Sequence, residues 1–389
     1  MIARAARHCK FLAVRQKFAL NLYNFFNLQL VAMITKEQVL NALRNVEDPD
    51  LKKDLVTLNM IENLHIEGNK VSFAVVLTTP ACPMKTMIEN ACRNAIKHFV
   101  SKDAELDIHM TSRVTTAAPQ STLSNIKNII VVTSGKGGVG KSTVSANLAL
   151  GLAQSGAKVG LIDADVYGPS IPIMFGVTTE RPQSVETEGG KMSILPIEKH
   201  GVKLLSIGFF TDPHQPVPWR GPMASNAIKQ LFNDANWGEL DYLIVDLPPG
   251  TGDIHITITQ SFPISGAVVV TTPQNVASAD TRKGVRMFLM EGMKVPLLGV
   301  IENMAYFTPE ELPNNKYYIF GSKNGGKRLA EEFDIPFLGE IPLIQSISDA
   351  GDDGKPAVLQ NDHLTAKLFV KLAEQVAQQV AIQNAKNKP

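Results

Sequence analysis

The sequence predicts an α/β fold, a mostly parallel sheet covered by helices on both faces and preceded by a small α+β domain. Three observations carry that expectation. From Ile126 onward, short continuous apolar runs alternate with segments of helical period, the pattern of strands buried on both faces and joined by right-handed crossovers. A glycine-rich stretch, Gly135 to Thr143, stands between one such run and one such helical segment. Upstream the pattern differs, and Thr115 to Thr122 has small polar residues with no apolar period, which reads as a linker.

The elements follow in order. Thr35-Lys36-Glu37-Gln38 reads as a helix opening, with Thr35 as cap and Gln38 three residues on. The helical spacing runs to Arg44, where Glu47-Asp48-Pro49-Asp50 breaks it. Leu64 to Leu77 reads as two strands around Glu67-Gly68-Asn69, Lys85 to Val100 as a helix, and Glu105 to Val114 as a further strand. Strands are then expected at Ile129–Val132, Val159–Ile162, Leu204–Ile207, Tyr242–Val245, Ala267–Val270, Leu298–Ile301 and Phe337–Ile341, with a helix from Ser142 to Gln154. A last helix, Leu364 to Ile382, puts Leu368, Leu372, Val376 and Val380 on one packing stripe. The expected division is a domain over 33–113, a linker over 114–125 and a large domain over 126–384.

Residues 1–32 carry Arg4, Arg7, Lys10, Arg15 and Lys17 and no acid. That composition resembles an organelle presequence; the favoured reading is that Met33 is the start and the leader a mis-called extension. Across all 389 residues the net charge is only +1, so no global basic field argues for nucleic acid. No apolar run reaches the length of a membrane span, three cysteines make no disulfide framework, and a reducing compartment, the cytoplasm, is expected. The eight histidines show no metal-ligand spacing.

The chemistry is concentrated in Gly135-Lys136-Gly137-Gly138-Val139-Gly140-Lys141-Ser142-Thr143. After the strand ending near Val132 the chain must turn sharply and offer N–H groups to phosphate oxygens, which needs glycine. Lys141 would neutralise the outer phosphates, Ser142 would place its hydroxyl on Mg²⁺, and the helix N-terminus would complete a P-loop. Asp163 and Asp165 close one apolar run and Asp246 closes another, ahead of Leu247-Pro248-Pro249-Gly250-Thr251-Gly252-Asp253. Strand-end carboxylates either cap the next helix or sit where open α/β sheets bind ligands. Beside a P-loop, Asp246 is expected to hold the metal through water and Gly250 to approach the γ-phosphate in a switching loop.

The wording around Lys136 resembles the deviant Walker A motif of the MinD, ParA and nitrogenase iron-protein class. The resemblance implies an ATP-dependent homodimer in which Lys136 reaches the partner's nucleotide; by residue chemistry alone Lys136 is equally a solvated loop lysine. It also implies that Asp165 positions the attacking water, that Asp163 supports the magnesium shell, and that Asn303 reads the adenine edge, although Asn303 otherwise reads as a turn residue. Asp163-Ala164-Asp165-Val166-Tyr167-Gly168-Pro169-Ser170, Trp219-Arg220-Gly221-Pro222-Met223 and the Asp246–Asp253 stretch look like the Mrp/ApbC family of iron-sulfur cluster carrier ATPases. Asp48-Pro49-Asp50 and Thr78-Thr79-Pro80-Ala81-Cys82-Pro83-Met84 resemble the MIP18-like domain often fused in front of them. The resemblance implies a carrier that takes a cluster from scaffold proteins and passes it to apo iron-sulfur proteins; the charge balance argues for no nucleic acid, and a last helix with Gln375, Gln378 and Gln379 and few basic residues for no stable membrane association.

One departure concerns the cargo. The family usually carries a Cys-x-x-Cys pair after Glu-Asn-Met-x-Tyr-Phe, whereas here Glu302 to Phe307 runs into Thr308-Pro309-Glu310-Glu311-Leu312. Cys82, between Pro80 and Pro83 at a helix opening, is the candidate ligand or reactive thiol. Cys92 reads rather as a small core residue. A cluster would be shared by two chains through Cys82, completed by Tyr306, Glu310 or a small thiol. The alternative reading is a MinD/ParA-like positioning switch without a cluster, motivated by the absent pair and the amphipathic last helix.

Overall fold

The computed structural model describes residues 34–116, 123–186, 190, 192–211, 221–309, 311–312, 314–321, 323–360 and 364–387. The leader with Cys9, the residues Trp219 and Arg220, and Glu310 therefore lie outside the described residues. The chain divides into two compact units, one comprising residues through Val76 with Thr86–Thr111, the other Leu77–Lys85 with Ser112 onward.

In the first unit, α1 (Lys36–Leu43) opens with the expected capping box, Thr35 and Gln38 each bonding the other's backbone. A short antiparallel pair, β1 (Glu47–Asp48) and β2 (Lys53–Asp54), follows. β3 (Ile61–Glu67) and β4 (Lys70–Leu77) pair antiparallel across Gly68, whose φ of 60° suits glycine at the turn. Helix α2 (Lys85–Phe99) buries Ile88, Cys92, Ala95 and Ile96 on one face. β5 (Glu105–Ser112) completes a sheet ordered β3-β4-β5.

The second unit contains β6 (Ile126–Ser134), α3 (Lys141–Gln154), β7 (Val159–Asp163), α4 (Ile171–Met174), the hairpin β8 (Gln183–Glu186) and β9 (Met192–Leu195), β10 (Ile197–Lys199) and β11 (Val202–Ser206). It continues with α5 (Gly221–Asn233), β12 (Leu240–Asp246), α6 (Asp253–Ser261), β13 (Ile264–Thr271), α7 (Asn275–Leu289), β14 (Leu297–Glu302), α8 (Gly325–Glu332), β15 (Phe337–Glu340), α9 (Gln345–Asp352) and α10 (Leu364–Lys386). Eight strands form one sheet, β10-β11-β7-β12-β6-β13-β14-β15, and the β10–β11 pair alone in it is antiparallel.

Alternate residues of β6 supply both faces. Ile130 and Val132 pack with Val144, Leu148, Phe369, Leu372 and Val376 of α3 and α10. Ile129 and Val131 pack with Ile228, Phe232, Val285 and Phe288 of α5 and α7. The expected stripe of the last helix is thus a packing face: Leu372, Val376 and Val380 are buried in the first of these cores and Leu368 packs at its edge. That face is not free to lie on a membrane, and no described helix is long and apolar enough to cross one.

Leu77–Lys85, expected in the small front domain, packs within the second unit. Ala81 joins its core and the buried Tyr242 hydroxyl donates to Thr79 Oγ1 at 3.0 Å.

Candidate nucleotide site

Because β6, β7 and β12 are parallel neighbours, their C-terminal ends lie side by side, with Asp246 in register with Asp163 on one side and Val132 on the other. The glycine loop leaves β6 at this edge. Gly138 and Gly140 adopt φ of 80° and 78°, left-handed values that α3 needs at its entry. Gly135 runs against α7, where an added Cβ would overlap the backbone of Asp280 and Thr281. We expect Gly135→Ala to lower stability by about 2 kcal/mol or more through overpacking. A wild-type thermal midpoint for that variant would contradict the close approach.

Lys141 lies almost wholly buried at the first residue of α3, its Nζ 2.7 Å from Asp246 Oδ1 and 3.9 Å from Asp165 Oδ2. Ser142 Oγ donates to Asp246 Oδ2 at 2.5 Å, and Ser145 Oγ donates to Asp246 Oδ1 at 2.6 Å. Asp163 is fully buried and accepts from the backbone N–H groups of Asp165 and Ile171 and from Ser206 Oγ at 3.0 Å. Three carboxylates thus surround one ammonium. Burial, and next the charge of Asp246, push the Asp163 carboxyl up to about 7 against the opposing pull of Lys141. Burial also holds Asp165 above the usual carboxylate range. This excess of buried negative charge, presented with a hydroxyl, is a hard oxygen donor set suited to a divalent cation beside phosphate.

The remaining expected residues fall around this centre. The Lys136 side chain is exposed on the loop, and Val139 is buried beneath it. Gly250, at φ 92°, donates its N–H to Ser134 O at 2.9 Å. Asn303 is buried under the loop, its Nδ2 donating to Val139 O at 2.8 Å. Thr143 belongs to the first turn of α3.

Of the cysteines, Cys92 is fully buried and its thiol is pushed up to about 12 by burial, which disfavours a thiolate there. Cys82 is half-buried in the turn before α2. Tyr306 carries Lys316 Nζ over its ring at 3.9 Å and meets Tyr318 edge-on at 6.2 Å. Sequence reasoning did not single out Ser145, Ser206 or His255. Ser145 lies one helical turn past Ser142 and was open to that inference; Ser206 reaches Asp163 only because β11 pairs with β7.

Comparison with known proteins gives the family. Residues 125–377 match the family described as ParA, NUBPL iron-transfer P-loop NTPase, and residues 36–106 match the family described as iron-sulfur cluster assembly protein. The iron-sulfur cluster carrier protein of Synechocystis sp. is 46% identical over 358 residues, covering 90% of this chain and 99% of that protein. The chloroplastic Fe-S cluster assembly factor HCF101 of Arabidopsis thaliana is 43% identical, covering 90% of this chain and 65% of that protein. Among solved structures, a nucleotide-binding protein from Archaeoglobus fulgidus in complex with ADP is 36% identical and superposes with a TM-score of 0.52, covering 62% of this chain and 91% of that one. The chain therefore belongs to the ParA-type P-loop NTPase family of iron-sulfur cluster carrier proteins.

Proposed function

We propose that the protein binds Mg-ATP, hydrolyses it slowly as a homodimer, and carries an iron-sulfur cluster that it receives from scaffold proteins and passes to apo iron-sulfur proteins. The observation that carries this reading is the placement of Asp246 and Asp165 carboxylates 2.7 Å and 3.9 Å from the Lys141 ammonium at the start of the helix that follows the glycine loop. Residues 135–143 would hold the phosphates through backbone N–H groups, with Lys141 moving its charge from Asp246 to the outer phosphates. Ser142, Asp246 and Asp163 would hold Mg²⁺, which supplies charge neutralisation at the β- and γ-oxygens when bound.

Hydrolysis joins a water oxygen to the γ-phosphorus and breaks the bond to the β–γ bridging oxygen. Asp165 would orient that water and accept its proton, a role favoured by a carboxyl held above its ordinary range. Gly250 would turn its N–H from Ser134 to the γ-phosphate. The exposed Lys136 is free to reach the nucleotide of a partner subunit, and Asn303 keeps its Oδ1 for an adenine amine while its Nδ2 secures the loop.

For the cargo, the half-buried Cys82 is the ligand we propose, shared between two chains, with Tyr306, Glu310 or a small thiol as the candidates to complete the set. We place the protein in the cytoplasm, with 33–113, 114–125 and 126–384 as front domain, linker and ATPase domain. Anaerobic reconstitution of wild type and Cys82→Ala, followed by iron and sulfide assay and transfer to an apo-protein, tests the reading. We expect loading and transfer in the wild type and loss of both in Cys82→Ala. A wild type that hydrolyses ATP but neither holds nor transfers a cluster would defeat the carrier function.

A further inference from the structure

Helices α5 and α6 lie side by side and bury one apolar face each, Ala224, Ile228 and Phe232 from α5 and Ile254 and Ile258 from α6. The next face of each is largely polar. Ser225, Asn226 and Lys229 share one side of α5, and Asp253, Ile256 and Thr257 share one side of α6. They line a cleft of about 320 Å³ between the helices, at the small end of the range for ligand sites.

Ser225 is only 6% exposed, yet its hydroxyl has no hydrogen-bond partner among the described residues. A serine inside a helix can return its hydroxyl to the carbonyl one turn back. Left unpaired in a buried place, it costs about what a hydrogen bond contributes and calls for a cause. The side chains of Asn226, Lys229, Asp253 and Thr257 likewise bond to no described residue. An ammonium and a carboxylate thus stand on facing helices without pairing, around a hydroxyl that is already desolvated. Met223, beside Pro222 in the α5 wall, and Ile256 are exposed apolar side chains.

A polypeptide segment answers this set. Its backbone supplies donors and acceptors for the hydroxyls and the amide, its apolar side chains cover Met223 and Ile256, and an acid and a base on it meet Lys229 and Asp253. An inorganic anion would meet one ammonium against one carboxylate, and a nucleobase would find no aromatic ring in the lining. A second copy of this chain, related by a twofold axis, would set one concave cleft against another and leave Ser225 unreached. The cleft also adjoins the nucleotide loop. Asp253 follows Gly252 directly, and an added Cβ at Gly221 would overlap its carboxylate, so the end of that loop bears on the start of α5.

We propose that the α5–α6 cleft is the docking site for an apo iron-sulfur protein, which inserts a segment carrying an acidic side chain against Lys229 and a basic one against Asp253. The assignment rests on the carrier reading above and names where the recipient is held.

The test uses the full chain, cluster-loaded, with an apo-ferredoxin and an apo-aconitase as recipients. Transfer rate is followed against recipient concentration for wild type, Lys229→Glu, Lys229→Arg and Ser225→Ala, with thermal midpoint, dimer content, cluster loading and ATP turnover measured on each. We expect Lys229→Glu to raise the half-saturating recipient concentration about tenfold at low salt, a difference that shrinks as ionic strength rises, and Lys229→Arg to stay near wild type. Ser225→Ala should unfold no lower than wild type, since it removes the unpaired hydroxyl, yet raise half-saturation by roughly threefold to tenfold, the worth of one hydrogen bond. Loading and turnover should not move. Unchanged half-saturation in either Lys229→Glu or Ser225→Ala, or a loss of loading or of the dimer in its place, would overturn the docking site while the carrier reading stands. A wild type that transfers to neither recipient would overturn both.

Discussion

Lys141→Ala is expected to weaken ATP binding by about tenfold or more and to unfold well below the wild type. Among the described residues Lys141 is the one cation of the buried centre, 2.7 Å from Asp246 and 3.9 Å from Asp165. Removing it deletes the charge for the outer phosphates and leaves carboxylates buried without compensation. Breaking a buried pair from one side costs about 3–5 kcal/mol, and losing a charge-assisted contact to phosphate weakens binding by about tenfold or more. The two effects are separable. Lys141→Ala combined with Asp246→Asn removes part of the stranded charge, so its thermal midpoint should recover while ATP affinity does not. Isothermal titration and thermal unfolding on both variants measure this, and wild-type affinity in Lys141→Ala would show that the lysine does not serve the nucleotide.

Asp165→Ala should separate binding from chemistry. Its carboxylate stands at the rim of the centre, in longer-range contact with Lys141 and partly open to solvent, whereas Asp163 and Asp246 are fully enclosed. A group so placed reaches a water more readily than it supports the fold. We expect ATP affinity near wild type and turnover lower by about 10²- to 10⁴-fold, the usual worth of a positioned base. Asp165→Asn should behave likewise, since an amide keeps the shape but takes no proton. Phosphate release under saturating ATP decides it, and unchanged turnover would return Asp165 to a purely structural role.

The fold was legible where period and continuity were strong. The central strands announce themselves as unbroken runs because they are covered on both faces, and the helix at Lys36 announces itself through Thr35 and Gln38. The sequence said less where an element is short and polar. β8 and β9 carry exposed residues in a four-residue pair, and β10 is an antiparallel edge of three residues; each is set by its neighbour across the ladder. The same limit applies to the site. The glycine loop and the strand-end aspartates are local patterns, so they could be read. Ser206 meeting Asp163, and Asn303 reaching Val139 from 164 residues away, depend on strand order, which no local pattern encodes.

The hydrogen bond from Tyr242 to Thr79 bears on how the chain can be divided. Family resemblance suggests cutting between residues 106 and 125, where the two matched segments end and begin. Packing draws a different line, because Thr79 and Ala81 are seated in the larger unit and Cys82 follows directly after them. A front piece severed at the linker would keep the thiol in its sequence but lose the tyrosine and the apolar seat that fix its turn. The cysteine proposed for the cargo thus goes, by packing, with the larger unit, and a front piece exchanged between proteins at that boundary would have to replace its support.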